Sequence, residues 1–187
     1  WSFGVQEGLM ALLAVGAYLT TRAPIREANG FTFAPIVEVA VLFAGIFLTM
    51  IAPLQILNAR GDELPLTQPW HFYWASGSLS SFLDNAPTYL TFAATAAGRL
   101  GIGAEGSRYL ADFLALGPEA VKLLTAVSCG SVMMGANTYI GNGPNFMVKA
   151  IAEQGGVRMP SFFGYMAWSG AVLIPTFILV TLVFFRG

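Results

Sequence analysis

Long apolar stretches separated by short polar loops run through the whole chain. The hydrocarbon core of a bilayer is about 30 Å thick, and a helix needs roughly 20 mainly apolar residues to cross it. Three stretches meet this requirement without interruption: residues 3–19, 35–57 and 162–185. We predict that each is a transmembrane helix. Because Gln6 and Glu7 lie near the start of the first stretch, an amphipathic or truncated helix is the alternative there.

Two further apolar segments are interrupted by polar residues. Residues 70–97 contain about 10 apolar residues on each side of a polar tip, and neither side is long enough to cross a bilayer at 1.5 Å per residue. This length predicts a re-entrant helical hairpin. Residues 119–155 contain a nearly complete span, a glycine-rich break and about three further helical turns. This pattern predicts a discontinuous transmembrane helix.

The composition indicates a membrane protein. Hydrophobic residues make up 56% of the chain and charged residues only 10%, compared with about 25% charged in an ordinary soluble domain. We therefore predict an all-α polytopic membrane protein in which residues 1–187 form a single membrane domain. Within it we expect two scaffold-like transmembrane helices in 1–69, then the hairpin and the discontinuous helix, and a final transmembrane helix in 161–185. Its partner is the lipid bilayer.

Charge and reactive residues exclude several classes of function. The formal net charge is −1 and no basic residues cluster, which argues against nucleic acid as a partner. One cysteine and one histidine cannot form a Cys/His metal cluster. The sequence has no nucleophile and base pair, no HExxH motif and no second intramembrane aspartate. We predict that the chain is not an enzyme and has no resident cofactor or metal, apart from an ion that it transports.

The two interruptions share a pattern. The hairpin tip contains "LDNAPTYL" (83–90) and the broken helix contains "IGNGPNFM" (140–147). Asparagine is a good N-cap, and proline is tolerated at the start of a helix, so each break is predicted to end by starting a new helix. The residues that build the breaks in this interpretation are Pro87, Gly141, Gly143 and Pro144, the glycines permitting left-handed backbone and close approach.

A helix that starts inside a membrane directs its free N–H groups and the positive end of its dipole into its surroundings. Irregular backbone at that depth requires burial in protein or a polar cavity, because lipid satisfies no hydrogen bonds. Two such breaks therefore predict a cavity that binds a polar substrate. The candidate ion- or substrate-binding residues are Ser81, Asp84, Asn85, Thr88, Asn137, Thr138, Asn142 and Asn145. Their oxygens suit a cation and their hydrogens suit an oxyanion, so residue type alone leaves the sign of the substrate open.

Asp84 is the most informative of these residues. A carboxylate near the centre of a bilayer costs at least about 2.5 kcal/mol and by default indicates a functional site. A carboxylate in that position can bind a proton or exchange it for a cation such as sodium. The alternative is that Asp84 caps the helix predicted to begin at Pro87, although Asn85 already supplies a neutral cap.

The motifs "SSFLDNAPTYLTF" (80–92) and "GANTYIGNGPNFMVKAI" (135–151) resemble the paired signatures in the C-terminal half of the ion transporter superfamily. That superfamily includes NhaD-like sodium/proton antiporters, arsenite permeases, and citrate and dicarboxylate carriers. The resemblance covers roughly residues 70–185. It implies an inverted-repeat secondary transporter whose N-terminal half lies outside this chain, with the site at the midplane between discontinuous helices. It also implies a homodimer in a prokaryotic inner membrane.

One departure from the superfamily pattern bears on the substrate. The branch that carries carboxylates has a Ser-Asn-Thr triplet at the breaks, whereas here residues 136–138 are "ANT" and the hairpin carries Asp84. A fixed negative charge would repel citrate at close range in a low dielectric. We therefore predict a sodium/proton antiporter that works by alternating access, with Asp84 as the shared carrier of sodium and protons. The alternative is an anion carrier for citrate, dicarboxylate or arsenite.

Overall fold

The computed structural model describes residues 4–61, 63–104 and 108–186, with the backbone alone at 34–36, 38–39, 42–43, 46–47, 146 and 154. The described part is helical and contains no strand, which confirms the all-α class. The α-helices are α1 Val5–Thr20, α2 Ala23–Ala28, α3 Ala34–Ala59, α4 Pro69–Ser80, α5 Asn85–Arg99, α6 Tyr109–Leu114, α7 Pro118–Met133, α8 Gly143–Gln154 and α9 Phe162–Val180. A 3-10 turn, Met134–Asn137, follows α7, and a π-helical turn, Thr181–Phe185, follows α9.

The chain divides into two compact units, residues 1–45 and 46–187. In the first, α1 and α2 have no buried residue. The second contains a hydrophobic core, to which α4, α7 and the end of α9 contribute Phe72, Tyr73, Leu123, Val127 and Phe177.

Small residues let α4 and α7 pack closely. A Cβ added to Gly77 on α4 would meet the side chain of Met134, and one added to Gly130 on α7 would meet the Tyr73 carbonyl and the Ser76 hydroxyl. Ala93 to Ala97 on α5 are likewise buried. The core is therefore made by close backbone approach as well as by large side chains.

One helix in the described part is long and apolar enough to cross a membrane. It runs from Phe162 to Phe185, 24 residues, with a mean hydropathy of 2.1 over an 18-residue window, and it coincides with the predicted final transmembrane helix. The first predicted span, 3–19, corresponds to α1, which has only 16 residues, and residue 3 lies outside the described residues. The second, 35–57, lies within α3, whose described apolar part is Leu48–Ala59.

The predicted hairpin segment forms two short helices joined by residues 81–84. At 1.5 Å per residue, α4 and α5 are about 18 Å and about 22 Å long, shorter than the bilayer core. The predicted discontinuous helix is interrupted between Met133 and Gly143 by the 3-10 turn and five non-helical residues, 138–142. Both interruptions belong to the unit of residues 46–187.

One local expectation about the breaks is wrong, and another is right only in part. We expected Asn85 to be the N-cap of a helix beginning near Pro87, but α5 already begins at Asn85 and Asp84 occupies the N-cap position. We also expected Gly141 and Gly143 to permit left-handed backbone and close approach. Neither has a positive φ, but Gly141 does allow close approach, because an added Cβ would overlap the Ser80 and Ser81 carbonyls. For α8 the expectation is right, since Asn142 is the N-cap and Pro144 lies in the first turn.

Candidate functional site

The hairpin tip, residues 81–84 between α4 and α5, lies against the break between α7 and α8. Ser81 Oγ, just after α4, lies 3.0 Å from the Gly77 carbonyl and 3.1 Å from the Met134 carbonyl. Its single proton therefore goes to a backbone carbonyl. The oxygen is then left to accept a hydrogen bond, and Asn137 Nδ2 donates one to it across 2.9 Å. This bond joins two residues that are 56 positions apart in the sequence.

Thr138 makes a second connection between the breaks. Its hydroxyl donates to the Ser81 carbonyl and accepts from the backbone N–H groups of Ile140 (3.2 Å) and Gly141 (3.0 Å). Thr138 has no exposed surface. A single buried hydroxyl thus shapes the non-helical segment and attaches it to the hairpin tip.

Asn85 makes the third connection, from the first residue of α5. With its amide oriented as the hydrogen-bond network requires, Nδ2 faces three acceptors. These are Ser80 Oγ at 2.9 Å, the Ser131 carbonyl at 2.8 Å and the Gly141 carbonyl at 3.2 Å. The side chain predicted to cap its own helix therefore links the hairpin to the broken helix.

Two glycines make this close contact possible. A Cβ added to Gly141 would lie 2.8 Å from the Ser80 carbonyl and 2.9 Å from the Ser81 carbonyl, and closer still to the Gly135 carbonyl. A Cβ added to Gly135 would meet the Asn85 side chain. Atoms at these distances overlap, so glycine is needed here for space.

Helix α9 holds the broken helix from another side. Ser169 Oγ donates to the Asn137 carbonyl across 2.7 Å, and the Tyr165 hydroxyl donates to the Ala136 carbonyl across 3.0 Å. Within the break, Asn145 Nδ2 donates to the carbonyls of Gly135 (2.8 Å) and Thr138 (3.0 Å). These bonds satisfy backbone carbonyls that the interruption of the helix leaves without partners.

A cavity of about 240 Å³ opens where these three elements meet. It is lined by Ser78, Ser81, Phe82, Asn137, Thr138, Met166, Ser169, Gly170 and Ile174. Of the predicted site residues, the structure brings Ser81, Asn137 and Thr138 together in its wall. The remaining predicted residues, which do not line this cavity, are Asp84, Asn85, Thr88, Asn142 and Asn145.

The polar groups around the cavity are neutral, and most of their hydrogens are already used. Ser81, Thr138 and Ser169 each have a backbone carbonyl as acceptor for the hydroxyl proton. Asn137 Oδ1 is buried and accepts no hydrogen bond in the described structure. Among the described residues that line this cavity, it is the one buried side-chain polar atom without a partner, and such an acceptor costs free energy.

Asp84 is close in sequence to Ser81 and Phe82, which line the cavity, but it does not line the cavity itself. It is partly buried, its side chain makes no cap hydrogen bond, and no hydrogen bond or ion pair to its carboxylate occurs among the described residues. Thr88, which is 1% exposed, donates to the Asp84 backbone carbonyl across 3.0 Å. Thr88 therefore has a structural hydrogen bond within its own helix.

The sequence-based prediction missed the contribution of α9. Ser169 and Met166 lie within an uninterrupted apolar helix, and no local pattern distinguishes Ser169 from an ordinary helical serine. Among the described residues, no group of three or more His, Cys, Asp or Glu side chains could hold a metal ion.

No curated protein and no solved structure matches the chain. The model of a family described as "Putative citrate transport" matches residues 2–185, almost the whole chain. The chain therefore belongs to this citrate transport family, a family of integral membrane transporters.

Proposed function

We propose that this chain forms part of a secondary transporter that binds sodium in the cavity between the two breaks and moves a carboxylate anion such as citrate. The family description supports a carboxylate anion as the transported substrate. The oxygen atoms around the cavity support sodium as the bound cation. The transporter works by alternating access in a cell membrane, with the α4–α5 hairpin re-entering the bilayer and a second, related half of the polypeptide completing the site.

One observation carries the sodium assignment: the groups around the cavity retain acceptors more than donors. Asn137 Oδ1 has no donor, and Ser169 Oγ keeps its lone pairs after donating to the Asn137 carbonyl. Neutral oxygen ligands suit a hard cation such as sodium. The amide orientation follows from Ser81, whose proton goes to a carbonyl, so that Asn137 presents its NH₂ group to Ser81 and its oxygen elsewhere.

The charge distribution supports an anion as the transported substrate. Among the described residues, no carboxylate lines the cavity. We therefore expect Asp84 to repel a citrate bound there less strongly than the sequence alone suggests. A bound sodium ion would add positive charge. Helix α8 also begins at this junction, with the neutral Asn142 as its N-cap and no acidic residue in its first turn, and the positive end of its dipole favours a nearby anion.

The second candidate function is sodium/proton exchange at Asp84. The observation that favours it is a partly buried carboxylate without a described hydrogen bond or ion pair, at the N-cap of α5. Such a carboxylate is free to bind a proton or a cation. In this version Asp84, and not the cavity, carries the ion.

A transport assay separates the two candidate functions. The longest natural polypeptide that contains these residues is reconstituted in liposomes, and uptake of labelled citrate is measured with an inward sodium gradient and with choline in place of sodium. In parallel, a pH-sensitive dye inside the liposomes reports proton movement. The proposal predicts sodium-dependent citrate uptake that Asp84→Asn retains. The result that would contradict the proposal is sodium-driven proton movement that needs no citrate and is abolished by Asp84→Asn. That result would favour sodium/proton exchange at Asp84.

A further inference from the structure

The unit of residues 1–45 contains a cavity of its own, about 350 Å³ in volume. Its wall includes Ala14, Ala17 and Tyr18 of α1, Arg26 of α2, and Phe31 and Phe33 of the segment that follows α2. Two small side chains, three aromatic rings and one guanidinium thus surround the same space. This combination suits a molecule with an apolar part and an anionic group.

A helix-ending turn builds this cavity. The Gly30 N–H donates to the Glu27 carbonyl (3.0 Å) and the Phe31 N–H to the Arg26 carbonyl (2.9 Å), which is the Schellman pattern. Gly30 has φ +59°, a left-handed conformation that favours glycine. The turn brings the ring of Phe31 to 6.2 Å from that of Tyr18, centroid to centroid.

Only one side-chain nitrogen of Arg26, Nη1, donates hydrogen bonds to described residues. Nη1 donates to the Tyr18 carbonyl and, across 2.8 Å, to the Thr21 carbonyl, at the C-terminal end of α1. The guanidinium carbon lies 4.4 Å from the centre of the Tyr18 ring. Nε and Nη2 donate to no described residue. These two nitrogens form the side of the guanidinium that binds two oxygens of a phosphate in parallel.

The surroundings favour a lipid over a soluble anion. The helix that leads to the cavity exposes large apolar side chains, with Leu12 69%, Leu13 63% and Leu19 74% exposed. Aromatic and basic residues at the end of an apolar helix are typical of the membrane interface. Glu27, the acidic neighbour of Arg26, forms no ion pair with it in the described structure, so the guanidinium keeps its charge available.

We propose that this cavity binds a membrane phospholipid, with the lipid phosphate on Nε and Nη2 of Arg26 and the start of an acyl chain along Ala14 and Ala17 between the aromatic rings. The site is independent of the transported substrate. It ties the end of α1 to the lipid headgroup layer.

The test uses the longest natural polypeptide that contains this chain, purified in a neutral detergent. Lipid retention is measured by native mass spectrometry, and thermal stability is measured with added phosphatidylglycerol, diacylglycerol or inorganic phosphate. We expect phosphatidylglycerol to be retained and to stabilise the protein. Diacylglycerol, which lacks the phosphate, and inorganic phosphate, which lacks the chains, should do neither. Equal stabilisation by inorganic phosphate would reduce the site to an anion site and overturn the lipid proposal.

Two test variants, each with a control variant, locate the lipid. Arg26→Gln should weaken phosphatidylglycerol binding about tenfold, as expected for loss of a charge-assisted pair. The control Arg22→Gln removes the same charge one turn away, outside the cavity wall, and should have little effect.

Because Arg26→Gln also removes hydrogen bonds to α1, a second variant, Ala14→Leu, fills the groove and leaves Arg26 unchanged. Ala11→Leu on the same helix is its control. Unchanged lipid retention in Ala14→Leu, or equal losses in Arg22→Gln and Arg26→Gln, would overturn the proposal.

Discussion

Asn137 donates a side-chain hydrogen bond to Ser81 Oγ across 2.9 Å, and so joins the broken helix to the hairpin tip. Ser81 can accept this bond because a backbone carbonyl takes its own proton. The other end of the Asn137 amide, Oδ1, is left buried without a donor. One side chain therefore both holds the two breaks together and supplies the acceptor on which the proposed sodium site depends.

The contact between the breaks predicts a large loss of stability for one of two nearby glycines and a small loss for the other. Gly141→Ala places a Cβ against the carbonyls of Ser80 and Ser81, and should lower the free energy of unfolding by about 1–3 kcal/mol. Gly143→Ala, at the first residue of α8, places a Cβ that meets no atom within 4 Å and should cost less than about 1 kcal/mol. Chemical unfolding in detergent micelles measures both. Equal losses for the two variants would show that the breaks are not in contact as described.

The hydrogen bonds of Asn85 predict that it matters for stability more than its charged neighbour does. Asn85→Ala removes the donor that faces the Ser131 and Gly141 carbonyls, and should destabilise the protein by about 1–3 kcal/mol. Asp84→Asn keeps the size of a side chain that has no described partner, and should change stability by less than about 0.5 kcal/mol. Unfolding midpoints of the two variants, measured together, check this order. If Asp84→Asn is the more damaging variant, the carboxylate makes a stabilising contact in the folded protein.

Ser169 tests the contribution of α9 to the cavity. Ser169→Ala removes a lining oxygen and the hydrogen bond to the Asn137 carbonyl, and should weaken sodium binding about tenfold. Thr176→Val is the matched control on the same helix, because its exposed hydroxyl bonds only to the Val172 carbonyl one turn away. Sodium titrations monitored by intrinsic tryptophan fluorescence compare the two variants. A loss of affinity in Thr176→Val of the same size would indicate a general effect on α9.

Local signals in the sequence were sufficient to place both interruptions. The polar tip between two short apolar segments marked the turn at 81–84, and the Asn-Gly-Pro sequence marked the start of α8 at Gly143. These signals work because capping residues and proline act on their own helix ends, without help from distant parts of the chain. The start of α5 was displaced by two residues, since the Asn85 side chain bonds across to the other break.

The composition of the cavity wall could not be predicted in the same way. Asp84 was favoured because a carboxylate is the most expensive group to bury, but cost alone does not say which way a side chain faces. Ser169 enters the wall only because α9 packs beside the 3-10 turn that precedes Thr138. For Gly141 the sequence predicts close approach, but the atoms that it approaches belong to the hairpin, 60 residues earlier in the sequence, and only the fold identifies them. All three outcomes depend on tertiary contacts.

The most direct test of the central claim is the shift in unfolding temperature caused by sodium, measured on the longest natural polypeptide containing this chain. The wild type, Asn137→Ala and Asp84→Asn are compared in sodium and in choline at equal ionic strength. Binding to the folded state raises its stability in proportion to the logarithm of sodium concentration above the dissociation constant. We predict a sodium-specific increase in the wild type and in Asp84→Asn that is lost in Asn137→Ala. An increase retained in Asn137→Ala and abolished in Asp84→Asn would contradict the account and place the ion on the carboxylate.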